Sequence, residues 1–585
     1  MKNTFKNRNK RNFKLSSCRG FIWKKKEINE LFTNNLIKKF RLNQLTANIF
    51  STRGISEEKY ENFVKPKIKN LLPNPSIIKD LDKSTDVIFS SILKKKKVGI
   101  IGDYDVDGIS STALLCKFFD FLDHPYEIYI PSRTKEGYGP NTNALLELSN
   151  KNCELIMTLD CGTTATESIN YIVDRGMQVI VVDHHQQADD IPKCLIINPN
   201  RIDDTSGLKN LAAVGVTFLL LVSINRKLNE TNLGPKNKKI NLLNYLDLVA
   251  LGTICDVVPL DLLNRTFVKQ GLKILNEMKN VGLKSLCSYL NLSIPIDEYH
   301  VGFVIGPKIN ASGRIGNALR GVDLLLSKNS TKAEIISDEL NNLNLRRQKI
   351  ESNVENQALG MINDKDKIIC VSGVNWHPGV LGIVASKLTE RFLKPSIVIS
   401  KNTNLCFGSA RSIGDFNIGE FISKAFSDGI LEGGGGHQMA GGLQIKSENI
   451  TLFQKYVNSK NHNIILNKIK EFDEFIEISI LNMNFYNSIK ILSPFGRNNP
   501  KPKFCLKNCF VKFPKLVGNN HVSCFLSDIY GNIIKAIAFK AHDNELGQNL
   551  FENNGKLLVI ICSLNKNVWE GREEIQLIIE DLIIS

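Results

Sequence analysis

The sequence predicts an α/β protein with two α/β lobes, joined by a long helix and followed by an OB-like β-barrel. Three observations predict this fold class. Short apolar runs alternate with amphipathic helices over residues 97–200, which is typical of a parallel sheet. Residues 331–366 keep helical spacing of their apolar positions and contain no proline. After residue 470 the chain contains five or six strand-like runs separated by turn signals.

The composition is that of a globular protein with several domains. The chain has 585 residues, of which 42% are hydrophobic and 23% are charged, so a mainly disordered chain is excluded. No apolar run reaches the roughly 18–20 residues of a membrane span, and the start of the chain lacks the apolar block of a secretory signal. The 13 cysteines include no CxxC pair, so we expect reduced thiols, a cytoplasmic location and no membrane partner.

Most of the net positive charge lies at the N-terminus. Residues 1–41 carry 13 basic and two acidic residues, a net charge of +11 out of +16 for the whole chain. We assign residues 1–44 to a basic tail, because such a segment is more often a solvated arm than a specific binding element. The alternatives are a salt-dependent affinity for phosphates and a transit peptide.

The first lobe is assigned to residues 45–330. Short helices broken by Pro66, Pro73 and Pro75 precede its first strand. Residues 211–228 and 240–252 have helical spacing. The predicted strands are residues 97–102, 126–130, 154–159, 177–182 and 195–198.

The rest of the chain divides into three predicted segments. Residues 331–366 form the connecting helix, residues 367–465 a second α/β lobe, and residues 466–585 an OB-fold domain. The second lobe contains four consecutive glycines at 433–436, which fit either a phosphate-binding loop or a tight turn against the sheet. The predicted barrel strands lie near 504–513, 521–527, 533–539, 557–563 and 575–584.

Acidic and histidine side chains follow three of the predicted strands directly. Because the carboxyl ends of parallel strands meet at one edge of a sheet, these side chains should converge there. Asp256 ends an apolar helical stretch and is placed to close the same site. The converging residues are Asp103, Asp105 and Asp107 after the first strand, Asp160 after the third, and Asp183, His184 and His185 after the fourth.

Several carboxylates brought together repel one another unless cations neutralise them. Oxygen donors with one or two imidazoles suit Mn²⁺ or Mg²⁺ better than a thiolate zinc site. The number of carboxylates is enough for two ions, which predicts a two-metal phosphoryl hydrolase.

Each motif alone has another interpretation: an Asx-rich turn or half a calcium loop for the DxDxDG run, and a helix N-cap for Asp160. Leu114 occupies the position where an EF-hand needs glutamate, so that class of site is rejected.

At this point the motifs resemble a known family. GDYDVDG, TLDCG, DHH and CDVVPL are similar, in this order, to the four motifs of the DHH phosphoesterase superfamily. PSRTKEGYG, GPKINASGRIG, WHPGVLGIVASKL, GSARS, GGGGHQMAGG and PFGRNNPKP resemble its RecJ branch in particular. The resemblance covers residues 45–585 and leaves out only the basic tail.

The resemblance implies an exonuclease that degrades single-stranded DNA from 5′ to 3′ into 5′-mononucleotides, in recombination and repair. It implies two ions of Mn²⁺ or Mg²⁺, and places His184 beside the scissile phosphate, as a ligand or as an orienting acid or base. Single-stranded DNA is the implied partner, and a single-stranded-DNA-binding protein and a helicase are candidate protein partners. The implied metal ligands are Asp103, Asp105, Asp107, Asp160, His185 and Asp256.

A second group of residues is expected to hold the DNA. Arg133 follows the second strand, so it should lie at the same edge of the sheet, and arginine binds phosphate oxygens in pairs. A surface ion pair is the alternative for Arg133. Trp376 either stacks on a base or packs in the protein. By resemblance, the set that contacts phosphate and DNA is Arg133, Arg314, Ser409, Arg411 and His437.

Two rival functions remain open from the sequence. A small-substrate DHH hydrolase would lack a C-terminal barrel, so the residues after 470 speak against it. A catalytically dead DNA-binding scaffold of the same fold would not keep the complete acidic set that this chain has.

Overall fold

The computed structural model describes residues 15–133, 135–187, 190–231, 239–402, 404–459, 464, 468–518, 520–569 and 572–584. The chain divides into two compact units, Met1–Pro66 together with Asn467–Ser585, and Lys67–Leu466. Each cluster of buried apolar side chains lies within one of these units. We therefore describe the two units separately.

The N-terminal segment is folded over much of the range assigned to the basic tail. Its elements are β1 (Leu15–Ser16), β2 (Ile22–Lys25), α1 (Glu30–Phe40), α2 (Gln44–Thr52) and α3 (Glu57–Val64). Trp23 and Leu36 are buried, and the Trp23 indole N–H donates to Asp581 at 2.8 Å. The prediction of a tail was therefore wrong for residues 15–44, because their apolar side chains pack on the distant C-terminal domain; residues 1–14 lie outside the described residues.

The first lobe contains the predicted parallel sheet. Its strands are β3 (Val98–Gly102), β4 (Tyr126–Tyr129), β5 (Leu155–Leu159), β6 (Gln178–Val182) and β7 (Leu195–Ile197). The order is β4-β3-β5-β6-β7 and every pair is parallel. The strands β3 and β5 are buried along their whole length, as expected for a sheet covered on both faces.

Helices surround this sheet. α6 begins directly after the first acidic loop, because the Asp105 carboxylate accepts from the amides of Asp107 and Gly108. The helices are α4 (Ile68–Leu71), α5 (Leu81–Leu93), α6 (Val106–Phe121), α7 (Thr142–Asn150), α8 (Thr166–Val173), α9 (Ala213–Glu230), α10 (Leu246–Cys255), α11 (Leu262–Asn276), α12 (Val281–Tyr289), α13 (Gly306–Ile315) and α14 (Leu319–Leu326). A π-helical turn, His300–Ile305, leads directly into α13.

The connecting helix α15 spans Ser330–Leu359. It buries Ala333, Ile336 and Leu340 against the first lobe. The helix ends seven residues before the predicted boundary at 366, because Gly360 takes the C-cap position and weakens helix continuation. The sequence therefore predicted a long connecting helix correctly, but it placed the end of that helix seven residues too far along the chain.

The second lobe has a mixed sheet in the order β11-β12-β10-β9-β8. β8 and β9 are parallel and the other pairs are antiparallel. The four glycines form a strand rather than a loop, and α17 packs so closely on it that a Cβ at Gly419 would lie 2.5 Å from the backbone of Gly436. Its elements are β8 (Ile369–Gly373), α16 (Pro378–Phe392), β9 (Ser396–Ser400), β10 (Leu405–Arg411), α17 (Ile418–Ser427), β11 (Gly433–His437), β12 (Ala440–Lys446) and α18 (Ile450–Ser459).

The C-terminal domain is a closed barrel of five strands, β15-β16-β17-β19-β18, with β18 pairing back to β15. β2 pairs in parallel with β13, and β14 pairs with β15 at the edge. The elements are β13 (Ile469–Phe472), β14 (Glu474–Ile476), α19 (Met483–Lys490), β15 (Phe504–Val517), β16 (His521–Ser527), β17 (Ile533–Ala538), α20 (Glu545–Glu552), β18 (Leu557–Trp569) and β19 (Arg572–Ile584). The predicted fold class is confirmed, including the barrel.

Two further findings concern the cysteines and the possibility of a membrane-spanning helix. All 13 cysteines are free thiols. Among the described residues, no helix is long and apolar enough to cross a membrane.

Candidate active site

The three acidic loops lie side by side at the carboxyl edge of the first sheet. Each loop is held by a hydrogen bond to the next strand. The amide of Asp103 donates to Leu159 O at 3.1 Å, that of Asp160 to Val182 O at 2.9 Å, and that of Asp183 to Ile197 O at 3.0 Å. Adjacent parallel strands thus bring all three loops to one point.

The convergence expected from the sequence is found in the structure. Ligand atoms of three sets of side chains lie within 4.8 Å of one another in each set. Asp256, which directly follows α10, joins one of them. The sets are Asp103 with Asp105 and Asp160; Asp107 with His184 and Asp256; and Asp160 with His184 and His185.

The Asp107 carboxylate is fixed by the start of α9. It accepts hydrogen bonds from the amides of Ala213 at 2.7 Å and Val214 at 3.0 Å. α10 approaches so closely that a Cβ at Gly252 would lie 2.7 Å from Asp107 Oδ1. Glycine at 252 therefore makes room for the carboxylate, which has little freedom to turn away from the site.

Asp160 is not a helix N-cap, which was the alternative interpretation. α8 begins six residues later, and its N-cap is Ala165. The Asp160 backbone has a left-handed φ of 63°, which is uncommon outside glycine. The residue is 1% exposed, and its Oδ1 atom accepts no hydrogen bond although His184 Nε2 lies 3.3 Å away. Asp103 Oδ1 is buried and unpartnered in the same way.

Unpartnered buried carboxylate oxygens are costly unless a cation binds them. Burial raises the pKa of Asp103 and Asp160 well above the usual range, and neighbouring carboxylates raise both further. Burial and Asp256 raise the pKa of Asp107 to about 7. Among the described residues no cysteine joins the three sets, so this oxygen-rich environment fits Mn²⁺ or Mg²⁺ and not a thiolate zinc site.

The two adjacent histidines have different surroundings. His184 Nε2 lies 3.3 Å from Asp160 Oδ1, 3.6 Å from Asp256 Oδ2 and 3.9 Å from Asp107 Oδ2. Burial lowers the pKa of His184 despite these carboxylates, which favours the neutral imidazole of a metal ligand. The resemblance implied that His185 is a metal ligand and that His184 is either a ligand or an orienting acid or base. The geometry places His184 in two of the ligand sets and His185 in one of them.

His185 is held by two polar side chains. Its Nδ1 lies 2.8 Å from Asp183 Oδ1 and 3.0 Å from the Tyr138 hydroxyl, which donates to Asp160 O. Burial opposes the charged form of His185, but the Asp183 hydrogen bond outweighs it and raises the pKa to about 9. Burial likewise opposes the charged form of Asp183, yet its hydrogen bonds to His185 and Thr163 lower its pKa below the usual range. Asp183 therefore supports His185 and does not join the sets of ligand atoms.

Arginines also line the site. A pocket of about 280 Å³ is lined by acidic residues and by Arg133 and Arg314. The Arg133 guanidinium lies 5.1 Å from the centre of the Tyr104 ring, and Arg314 Nη1 donates to Gly379 O at 3.3 Å. Burial lowers the pKa of Arg314 to about 10, and repulsion from Arg133, Arg347 and Arg411 adds to this. Arg133 therefore lines the pocket beside Tyr104.

The second lobe brings Arg411 to this cluster. Burial, followed by the charge of Arg133, lowers the pKa of Arg411. Ser409 lies two residues earlier on β10 and shares its face. His437 pairs across β12 with the same residue, Ala440, that pairs with Arg411, so it lies two strand spacings away, about 10 Å. His437 is exposed and does not line the pocket.

Trp376 does not stack on a substrate. The residue is 1% exposed, and its indole N–H donates to Gln357 at 2.7 Å. The packing alternative is therefore confirmed.

Comparisons with known proteins give the family. Residues 97–253 match the DHH family N-terminal domain, residues 365–463 the DHHA1 domain, and residues 472–581 the RecJ OB domain. The single-stranded-DNA-specific exonuclease RecJ of Bacillus subtilis strain 168 is 32% identical over 565 residues, which are 94% of this chain and 69% of that protein. The chain belongs to the RecJ family. The Escherichia coli K12 protein of the same name is 28% identical over 92% of this chain and 95% of its own length.

Solved structures of RecJ proteins contain the expected metals. RecJ from Thermus thermophilus in complex with Mn²⁺ superposes with a TM-score of 0.80 at 25% identity, covering 95% of this chain and 78% of that one. The same protein has a structure with Mg²⁺ at a TM-score of 0.74. The carboxylate and histidine sets of this RecJ-family chain are positioned to bind these ions.

Sequence reasoning missed five residues of this RecJ-family site. The pocket is also lined by Tyr104, Tyr138, Cys255, Asn310 and Gly313. All five lie inside the motifs GDYDVDG, KEGYG, CDVVPL and GPKINASG. Their position within these motifs was the available signal, but neither charge nor spacing separates them from core residues.

The pKa shifts predict how the stability of the metal-free protein depends on pH. The folded state binds more protons than the unfolded state where carboxyl pKa values are raised, so the free energy of unfolding should fall as pH rises from about 4 to 7. Each fully shifted group contributes at most about 1.4 kcal/mol per pH unit. Urea unfolding in EDTA at pH 5 and pH 7 measures this. Asp107→Asn should flatten the dependence, and equal stability of the native sequence at both pH values would contradict the charge repulsion.

Proposed function

We propose that this chain is a metal-dependent exonuclease that hydrolyses single-stranded DNA. It acts from 5′ to 3′ and releases 5′-mononucleotides, in recombination and repair. The observation that carries the proposal is a pocket lined by both carboxylates and arginines. Cations bound by the carboxylates, together with the guanidinium groups, would hold a phosphodiester there. Relatives named single-stranded-DNA-specific exonucleases support this choice.

Two ions are proposed, held by two of the ligand sets. Asp103, Asp105 and Asp160 would bind one, and Asp107, His184 and Asp256 the other. Asp160 Oδ1 lies 3.3 Å from His184 Nε2, so Asp160 is the residue suited to both ions. When bound, such ions lower the pKa of bound water and neutralise charge on the reacting phosphate.

The protein's own groups supply the remaining interactions. His185 is fixed through Nδ1, so Nε2 is the ring nitrogen available to the substrate, and the positive charge favoured by Asp183 would stabilise the phosphate oxygens. Arg133 and Arg314 would bind the scissile or neighbouring phosphate. Arg411, with Ser409 and His437 on the same sheet, is proposed to hold the DNA 5′ end.

A substitution in the second lobe tests the last assignment. Arg411→Ala should raise KM for single-stranded DNA by about tenfold with a smaller change in kcat, because it removes binding that the ground and transition states share. Steady-state kinetics on a 5′-phosphorylated 12-mer measure both constants. Arg391→Ala, which removes an exposed arginine from the same lobe, is the control. An unchanged KM with a collapsed kcat would instead place Arg411 at the reacting phosphate.

The function itself is tested with end-labelled oligonucleotides. The full chain is incubated with single-stranded and blunt double-stranded DNA in Mn²⁺, Mg²⁺ or EDTA. We expect a 5′-labelled single strand to yield a labelled mononucleotide first, and a 5′ end blocked by biotin and streptavidin to resist cleavage. Activity on dinucleotides alone would favour the small-substrate hydrolase, and binding without cleavage would favour the scaffold.

The domain roles and the partners are proposals as well. Residues 67–330 would carry out catalysis, a narrower range than the 45–330 assigned from the sequence, because residues 45–66 belong to the barrel unit. Residues 367–465 would bind the DNA end, and the barrel within residues 466–585 would guide the strand. A single-stranded-DNA-binding protein and a helicase are the proposed partners, because both provide or expose the single-stranded substrate. The proposed location is the cytoplasm.

A further inference from the structure

Two exposed aromatic rings stand out on the surface of the first lobe. Tyr299 is 61% exposed and Phe303 is 71% exposed. Their rings stack on each other with centroids 5.2 Å apart and an angle of 27° between the planes. Large aromatic rings left in water on a rigid element are typical of binding surfaces.

The pair belongs to the helix that enters the candidate active site. The π-helical turn His300–Ile305 continues into α13 without a break. Pro307 has no N–H to donate to the carbonyl four residues earlier, which favours the wider turn at this point. Within α13, Pro307, Asn310 and Arg314 are spaced by three and four residues, so they share one face, and Phe303 lies in the turn just before them. Asn310 and Arg314 line the pocket.

Glycines fix this helix against the catalytic loops. A Cβ at Gly306 would lie 2.5 Å from Cys255 Sγ, and one at Gly313 would lie 2.1 Å from the carbonyl oxygen of Tyr104. Cys255 precedes Asp256, and Tyr104 lies between Asp103 and Asp105. The helix that follows the aromatic pair is therefore packed directly against the loops that carry the metal ligands.

The charge of the helix suits a polyanion. Residues 299–322 contain Lys308, Arg314 and Arg320 and no aspartate or glutamate, but Arg320 is paired with Asp323 and Glu339. Glu298 directly precedes the segment, and Asp297 pairs with His300 at 2.5 Å. Lys308 and Arg314 on α13 are therefore the positive charges that a nucleic-acid strand leaving the pocket along this helix would meet.

We propose that Tyr299 and Phe303 form a stacking platform for a base of the single-stranded substrate, on the 3′ side of the scissile phosphate. The inference rests on the proposed function and assigns a subsite to it. Phe303 lies seven residues from Asn310, about 10 Å along the helix axis at about 1.5 Å per residue. That length corresponds to about three nucleotides at the roughly 3.4 Å per nucleotide of a stacked strand, and to fewer in an extended strand. The platform requires no base identity, because every base has a face that can stack.

The test combines ring substitutions with missing bases. Substrates are thymidine 12-mers with a 5′-phosphate and one abasic site, placed at each of the first six positions in turn. The full chain and its variants Phe303→Leu, Phe303→Trp and Tyr299→Leu are assayed with Mn²⁺. Phe426→Leu, which replaces an exposed phenylalanine on α17, is the control. Circular dichroism checks that each variant is folded.

We expect Phe303→Leu to raise KM about 5- to 150-fold, the range that corresponds to stacking of one base, with kcat changed little. Phe303→Trp should keep the KM of the native sequence. In the native sequence one abasic position should raise KM by a similar factor, and in Phe303→Leu the same abasic site should have no further effect.

Three results would overturn the platform. The first is an abasic profile that is the same in the native sequence and Phe303→Leu. The second is full activity of Phe303→Leu, which would show that apolar area without a ring is enough. The third is a change of sedimentation coefficient in Phe303→Leu with unchanged kinetics, which would make the pair a contact between protein chains. Failure of the native sequence to cleave any of these single strands would refute the proposed function itself.

Discussion

Asp160→Asn should lower the Mn²⁺-dependent cleavage of single-stranded DNA by three orders of magnitude or more. Asp160 belongs to two of the three sets of ligand atoms, and its carboxylate is buried with one oxygen unpartnered. Asparagine keeps the shape but carries no charge and offers only one oxygen. Both ions should therefore be held more weakly, and kcat should fall with them. Single-turnover kinetics at saturating DNA measure the loss.

The same substitution should leave the metal-free fold intact or more stable. Burial and four neighbouring carboxylates disfavour the charged form of Asp160, so removing that charge relieves repulsion. Thermal unfolding in EDTA should give a Tm equal to or above that of the native sequence, and added Mn²⁺ should raise the Tm less than in the native sequence. Asp174→Asn, at the exposed C-cap of α8, is the matched control for loss of one carboxylate. Near-normal activity of Asp160→Asn would refute the site.

Removing the barrel unit should decrease activity on long DNA far more than on short DNA. The unit includes residues 15–66, so a chain ending at residue 465 would expose Leu36, Ile49 and Phe50, which now pack in the barrel core. We expect that chain to aggregate. A chain of residues 67–466 keeps the other hydrophobic clusters whole, because none of them draws on the removed residues.

The expected measure is kcat/KM as a function of oligonucleotide length. Stacking is worth about 1–3 kcal/mol per base, so loss of two bases from the barrel should lower kcat/KM for a 30-mer by about 100-fold. A hexamer should be cleaved nearly as well by residues 67–466 as by the full chain. Parallel length curves for the two chains would refute the role of the barrel as a strand guide. Circular dichroism of the shortened chain checks that it is folded.

The first sheet and its acidic edge could be predicted because local sequence determines them. A buried parallel strand is a short apolar run, and an acid directly after it must lie at the carboxyl edge. Asp103 and Asp160 are therefore found where the sequence places them. The assignment of the histidines could not be made in this way. His184 and His185 leave the same strand end, and only the positions of Asp183 and Asp256 separate their surroundings.

The N-terminal segment shows the other limit of sequence reasoning. Its basic residues dominate any local window, so the segment is predicted to be solvated. The burial of Trp23 depends on Asp581, which is 558 residues away along the chain. The pattern of apolar residues within 15–44 contains no information about a contact with a side chain that far along the chain. The same applies to Phe303, whose exposure depends on how its helix packs.

The pairing of the first and last segments of the chain has a consequence for its synthesis. Residues 15–66 are synthesised about 500 residues before the strand that contains Asp581. At about 5–20 residues per second this is a delay of roughly 25–100 seconds. During that time Trp23 lacks the Asp581 carboxylate that accepts its indole N–H, while both lobes can already fold. We expect nascent chains arrested anywhere before β19 to keep the segment around Trp23 open to proteases.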